Sequence, residues 1–151
     1  MRSMWSAHPI GWLARSYAVE ENGRRFASLD FAWSGSGAIE LDRQRLRIWR
    51  EGFWFPEFHL EGRRERLATG RAAGAFRRGF YVAAGDAELR LDPSSWLGRS
   101  FDLTRRGELL GRIVKLGFFE RRFQVEIEDE LAPELSLFAL WLVVRLRRRA
   151  H

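Results

Sequence analysis

From Trp12 to Glu128 apolar and polar side chains alternate over short stretches, the period-2 pattern of half-buried strands. Ala27, Leu29, Phe31 and Trp33 fall on one face, with Ser28 and Asp30 opposite. Leu89 and Leu91 alternate with Glu88, Arg90 and Asp92, and Phe101 and Leu103 with Asp102 and Thr104. Phe123, Val125 and Ile127 oppose Arg122, Gln124, Glu126 and Glu128. Burial on one side only is the habit of antiparallel sheets. Glu21-Asn22-Gly23, Ala84-Gly85-Asp86 and Arg105-Arg106-Gly107 separate the stretches with residues that tolerate the positive φ of tight turns. Strands this short, with turns every ~8–12 residues, predict a β-sandwich or barrel.

The C-terminal segment breaks the alternation. Pro133 suits a first helical turn, and Leu137-Phe138-Ala139-Leu140-Trp141-Leu142-Val143-Val144 is apolar without interruption. A helix apolar on every side must be surrounded. The run is too short for the ~20 residues of a membrane span, and Glu134 and Arg145 bracket it. Ten helical residues reach about 15 Å, the height of a small barrel. The prediction is therefore an antiparallel barrel enclosing a hydrophobic C-terminal helix over residues 133–148 with its basic tail, as a single domain spanning 1–151. Residues 1–11 are expected to be irregular, and they lack the apolar run of a secretory signal, so a cytoplasmic location is expected.

A chain of 151 residues, 46% hydrophobic and 30% charged, has the make-up of one globular domain. It has no cysteine, which excludes disulfides, thiolate zinc sites and cysteine nucleophiles. The net charge of +6 is unevenly spread, since Arg145, Arg147, Arg148 and Arg149 supply four of the six units. Lys115 is the only lysine, so nearly every cation is a guanidinium, able to grip carboxylate or phosphate in two-pronged fashion.

Leu89-Arg90-Leu91, then Phe101-Asp102-Leu103-Thr104-Arg105-Arg106-Gly107-Glu108-Leu109-Leu110-Gly111-Arg112-Ile113, then Phe123 to Ile127 and the helix holding Phe138 and Trp141, resemble in order and spacing the tubby C-terminal-like superfamily. That superfamily includes the LURP-one-related and phospholipid scramblase-like proteins. The resemblance implies a barrel closed around a C-terminal helix. It also implies membrane association, since some members bind phosphoinositide headgroups through basic residues. No binding residue of the family maps onto a position of this chain.

Several constellations stand out as candidate sites. Arg43, Arg45 and Arg47, with Trp49 next, would form a guanidinium stripe beside an indole on one strand face, a holder for phosphate or simply a solvated wall. Phe53, Trp54, Phe55 and Phe58 crowd around Pro56; exposed, they suit insertion at a membrane or partner surface, and buried they close a barrel end. Arg145 and the three arginines Arg147, Arg148 and Arg149 either cap the helix carbonyls or face an anionic surface. Glu126 and Glu128 read as outward strand residues, and Asp129 and Glu130 as helix-start charges, rather than a calcium loop. Gly35-Ser36-Gly37 leads into a strand and lacks the helix a phosphate loop needs. His8, His59 and His151 are too scattered along the sequence to suggest a metal site, and Ser94-Ser95 lacks a nucleophile elbow. The expectation is a non-enzymatic module without metal or cofactor. Anionic phospholipid at the membrane periphery is the leading ligand class, with a protein partner second and nucleic acid third.

Overall fold

The structure, a computed structural model, describes residues 1–52, 54–73, 79–94, 99–117 and 121–149, the last without the Arg149 side chain. Its elements are β1 (Arg2–Ile10), β2 (Ser16–Glu21), β3 (Arg24–Phe31), β4 (Gly37–Leu41), β5 (Gln44–Glu51), β6 (Glu57–Glu61), β7 (Arg66–Ala72), β8 (Phe80–Ala84), β9 (Ala87–Pro93), β10 (Ser100–Arg105), β11 (Glu108–Leu116), β12 (Arg122–Glu128) and α1 (Pro133–Arg149). Each strand pairs antiparallel with the next, and β1 pairs with β12, closing a twelve-stranded barrel with no free strand edge among the described residues.

The closing strand lies where the sequence predicts irregular structure. Residues 2–10 form β1, in register with β12 through Trp5↔Val125 and Ala7↔Phe123, and with β2 through Ala7↔Val19. Only Trp5 and Ala7 are fully buried on this strand, and Ser6, His8 and Pro9 around them mask the alternation. Strand formation here is driven by two waiting edges rather than by local propensity, since either neighbour unpaired would expose a row of backbone donors and acceptors.

The helix threads the barrel. Leu137 through Val144 are each no more than 1% exposed, so every side of the segment meets the wall. Each large side chain among them contributes about 1.5–3 kcal/mol relative to exposure. Trp141 stacks on Phe31 of β3 (centroids 5.2 Å apart) and meets Phe58 of β6 edge-on at 5.4 Å. Glycines give the helix its room: a Cβ on Gly37 would lie 2.8 Å from the Trp141 Nε1, and one on Gly70 2.9 Å from a Leu142 methyl. The wall is apolar inside and charged outside, the reverse of a barrel immersed in lipid. Among the described residues no helix is long and apolar enough to cross a membrane.

The two ends differ. Where the helix enters, adjacent strands are joined by two to four residues, including Asn22-Gly23 and Arg106-Gly107, whose positive φ values (55° and 78°, 51° and 81°) are those of tight hairpins. Where the helix leaves, every connection has five to seven residues: 11–15, 32–36, 52–56, 73–79, 94–99 and 117–121. Trp33 belongs to this end. It lies beyond β3 in a turn and is exposed, so the inward face expected to include it stops at Phe31.

Candidate functional site at the open end of the barrel

The last turn of α1 brings Arg145, Arg147 and Arg148 into the mouth formed by the long connections, all three half-buried. What reads as a basic tail is thus the continuation of the helix through Arg149, whose side chain lies outside the described residues. Aromatic rings of the inner wall floor the guanidinium groups: Arg145 lies 4.5 Å from the Phe58 centroid, Arg148 4.6 Å from that of Phe31, and Arg147 5.7 Å from that of Phe101. Arg145 Nε also donates to the carbonyl of Gly35 at 3.3 Å. The arginines are therefore held in place by the wall as well as by the helix.

Two clefts open here and share Arg148. One, of about 350 Å³, is lined by Trp33, Ser34, Ser36, Arg50, Arg145 and Arg148. The other, of about 200 Å³, is lined by Leu13, Tyr17, Lys115, Arg121, Arg147 and Arg148. Burial pulls the Lys115 ammonium below its ordinary pKa, and the neighbouring Arg147, Arg121 and Arg99 add to the shift. Burial likewise lowers that of Arg148, reinforced by Arg121 and Arg15 and opposed by Tyr17, whose own hydroxyl is pushed up by burial. Arg148 Nη1 is buried with no acceptor among the described residues. Like charges share a partly desolvated mouth, an arrangement that an anionic oxygen would relieve.

Large apolar side chains rim the mouth. Trp12 is 87% exposed, Trp33 86% and Trp54 83%, with Leu13 and Phe55 also exposed. Arg15 lies over the Trp33 ring at 4.3 Å. Among the described residues the six connections and the helix end hold Arg15, Arg99, Arg121, Arg145, Arg147 and Arg148 and no acidic residue. Isolated exposed tryptophans are ordinary, but three around one basic opening form a surface with a direction.

The other sequence candidates fall elsewhere. Arg43 sits in the turn between β4 and β5, so the stripe has two strand members rather than three. Arg45 pairs with Glu40 at 2.5 Å and Asp30 at 3.4 Å, and Arg47 with Glu61 at 3.4 Å. Trp49 is half-buried on the barrel wall between the His59 ring (4.3 Å) and the Arg66 guanidinium (5.4 Å). The stripe thus runs along the outer wall, where Arg45, Arg47 and Trp49 line a cleft that reaches Ala32 and Ser36 at the edge of the mouth. Of the aromatic group, Phe58 is buried in β6 and Trp54 and Phe55 are exposed at the rim, while Phe53 lies outside the described residues. Glu126 and Glu128 face outward as expected and both pair with Arg2.

Sequence reasoning missed the contribution of Arg15, Arg50, Lys115 and Arg121, which come from separate connections or strand ends and share no local motif. It also missed a cluster on the outer wall, where Glu51, Glu57 and His59 lie with one ligand atom each within 4.8 Å of one another. Comparison of the sequence with protein-family models finds no match, and comparison with curated proteins finds no relative.

Proposed function

We propose that this protein is a non-enzymatic binding module that docks the open end of its barrel onto anionic membrane lipid. The observation that carries the reading is the convergence at one end of Arg145, Arg147, Arg148, Arg121 and Lys115 with the exposed Trp12, Trp33 and Trp54. Phosphate-bearing headgroups match guanidinium donors in a desolvated mouth, and indoles settle at the level of lipid headgroups. Each basic residue near an anionic surface adds about 1 kcal/mol of attraction at physiological salt. The protein is then cytoplasmic and held peripherally. Kinship follows the same reading: strand order and a C-terminal helix within a closed barrel support membership of the tubby C-terminal-like superfamily.

Co-sedimentation with vesicles of phosphatidylcholine alone, and with phosphatidylserine added, tests the proposal at low and raised salt. Binding to the anionic vesicles, weakened by salt, is the expected result. Failure to bind either vesicle would sink it. The exposed rim aromatics favour a second reading, a protein partner covering the same apolar surface. Vesicles are then ignored, and the partner stays bound in high salt.

A further inference from the structure

His59 lies on the outward face of β6, yet it is 2% exposed. The Trp49 ring covers it at 4.3 Å, and Thr69 of β7 lies beside its Nδ1, with Oγ1 3.0 Å away. Both edges of the imidazole are therefore committed. Nε2 faces two carboxylates, Glu51 Oε2 at 2.9 Å and Glu57 Oε2 at 3.7 Å. A single N–H satisfies the first and cannot reach the second.

Glu51 and Glu57 are directly opposite each other across the β5–β6 pair. Like charges in that position repel, so the register is costly unless a cation lies between them. Arg71, opposite Glu57 on β7, is positioned with its guanidinium 5.8 Å from the Tyr81 ring centroid. Among the described residues Glu57 has no arginine or lysine ion-pair partner, and its close basic neighbour is His59 Nε2 at 3.7 Å.

We propose that Glu51, Glu57 and His59 form a binding site for a divalent transition cation of the zinc class. One imidazole nitrogen and two carboxylate oxygens are a donor set that suits such an ion, leaving the solvent side for water. With Nε2 as ligand, the proton resides on Nδ1 and is donated to Thr69 Oγ1, an outer hydrogen bond that fixes the tautomer and ring orientation of a ligating histidine. The three ligand atoms lie within 4.8 Å of one another. Tetrahedral bonds of about 2.0–2.2 Å bring ligands to about 3.4 Å apart. The two glutamates are solvent-accessible on one side and supply that closure by rotamer changes while His59 stays fixed. The ion would fasten the last residue of β5 to the first of β6, at the root of the connection that carries Trp54 and Phe55.

The test is calorimetric titration of Zn²⁺ into the full chain carrying H8Q and H151Q, so that His59 is the sole imidazole. One saturable Zn²⁺ per chain is expected, with a raised thermal midpoint and a shifted His59 ring resonance. Ca²⁺, which wants six or more oxygens, should give neither. E51Q/E57Q, altering two exposed carboxylates, should lose the saturable site while remaining folded, and T69V should weaken it about tenfold. Absence of a saturable site in the H8Q/H151Q chain, or an undiminished one in E51Q/E57Q, would overturn the proposal.

Discussion

Nε1 of Trp141 donates a hydrogen bond to the backbone carbonyl of Asp30 at 3.0 Å. The bond ties the middle of the enclosed helix to the wall, at the point where Gly37 of the neighbouring strand leaves space for the indole. Because Phe31 and Phe58 hold the same ring on two sides, the helix is fixed in both depth and rotation. Removing the donor while keeping an aromatic ring, as in Trp141→Phe, loses the bond and leaves a void. A loss of about 2–4 kcal/mol in urea unfolding is expected, with little change in m-value. A loss below about 1 kcal/mol would show that the bond does not anchor the helix.

Two interior glycines should respond unequally to alanine. A methyl at Gly37 would come 2.2 Å from the Asp30 carbonyl oxygen, which belongs to a paired strand and cannot yield. At Gly70 the nearest atom is a Leu142 methyl at 2.9 Å, the end of a side chain that has other rotamers. Gly37→Ala should cost more than about 3 kcal/mol or prevent folding, and Gly70→Ala about 1–2 kcal/mol. Thermal midpoints of the two variants decide the order.

Charge reversal should separate the mouth from the wall. Arg145→Glu with Arg148→Glu removes two cations and adds two anions at the opening, which should lower affinity for phosphatidylserine vesicles about a hundredfold or more. Reversing Arg45 and Arg47, whose charges Glu40 and Glu61 already offset, should change it less than about fivefold. Equal losses in the two sedimentation series would remove the mouth's special status.

The rim tryptophans should contribute the part of binding that salt does not screen. Trp12→Ala, Trp33→Ala and Trp54→Ala together should leave stability within about 1 kcal/mol, because none is buried. Vesicle binding at raised salt should fall at least tenfold, while the low-salt attraction survives in weakened form. A matched circular dichroism spectrum checks that the fold is kept.

Lys115 gives the mouth a pH dependence. Its ammonium ionises below the ordinary value of 10.5, so between that lowered value and 10.5 the folded chain holds fewer protons than the unfolded one. Stability from this group therefore rises with pH across that window as the cost of the buried charge disappears. Binding to an anionic surface moves the other way, since each deprotonation removes a positive charge. Affinity for anionic vesicles should decline as pH rises through that window toward 10.5, and Lys115→Arg, charged throughout, should flatten the decline. A decline of equal slope in both would assign it to another group.

The barrel was legible where alternation was clean. The Phe123-Val125-Ile127 face and the Asn22-Gly23 turn carry their own geometry, and an eight-residue run apolar on all sides has few places to go but inside. β1 was not legible, because its strand character comes from β2 and β12 and not from Ser6, His8 and Pro9. The site was half legible. The helix-end arginines announce themselves as a run, and Trp54 and Phe55 as an aromatic loop. Arg15 joins Arg121 beside Arg148 only when β1 closes onto β12, Lys115 and Arg121 meet across the β11–β12 hairpin, and Glu51, Glu57 and His59 come together only through the β5–β6 register. Arg43, by spacing alone a strand residue, is claimed by the turn that Asp42 begins with its φ of 55°.

The order of elements along the chain also sets an order of events. Twelve strands precede the helix that fills them, and the pairing that closes the barrel joins the first strand to the last. A growing chain therefore has sheet before it has a core, with apolar inner faces and a ragged seam until residues 133–149 arrive. Contacts so distant in sequence make closure slow and leave the partial barrel prone to association.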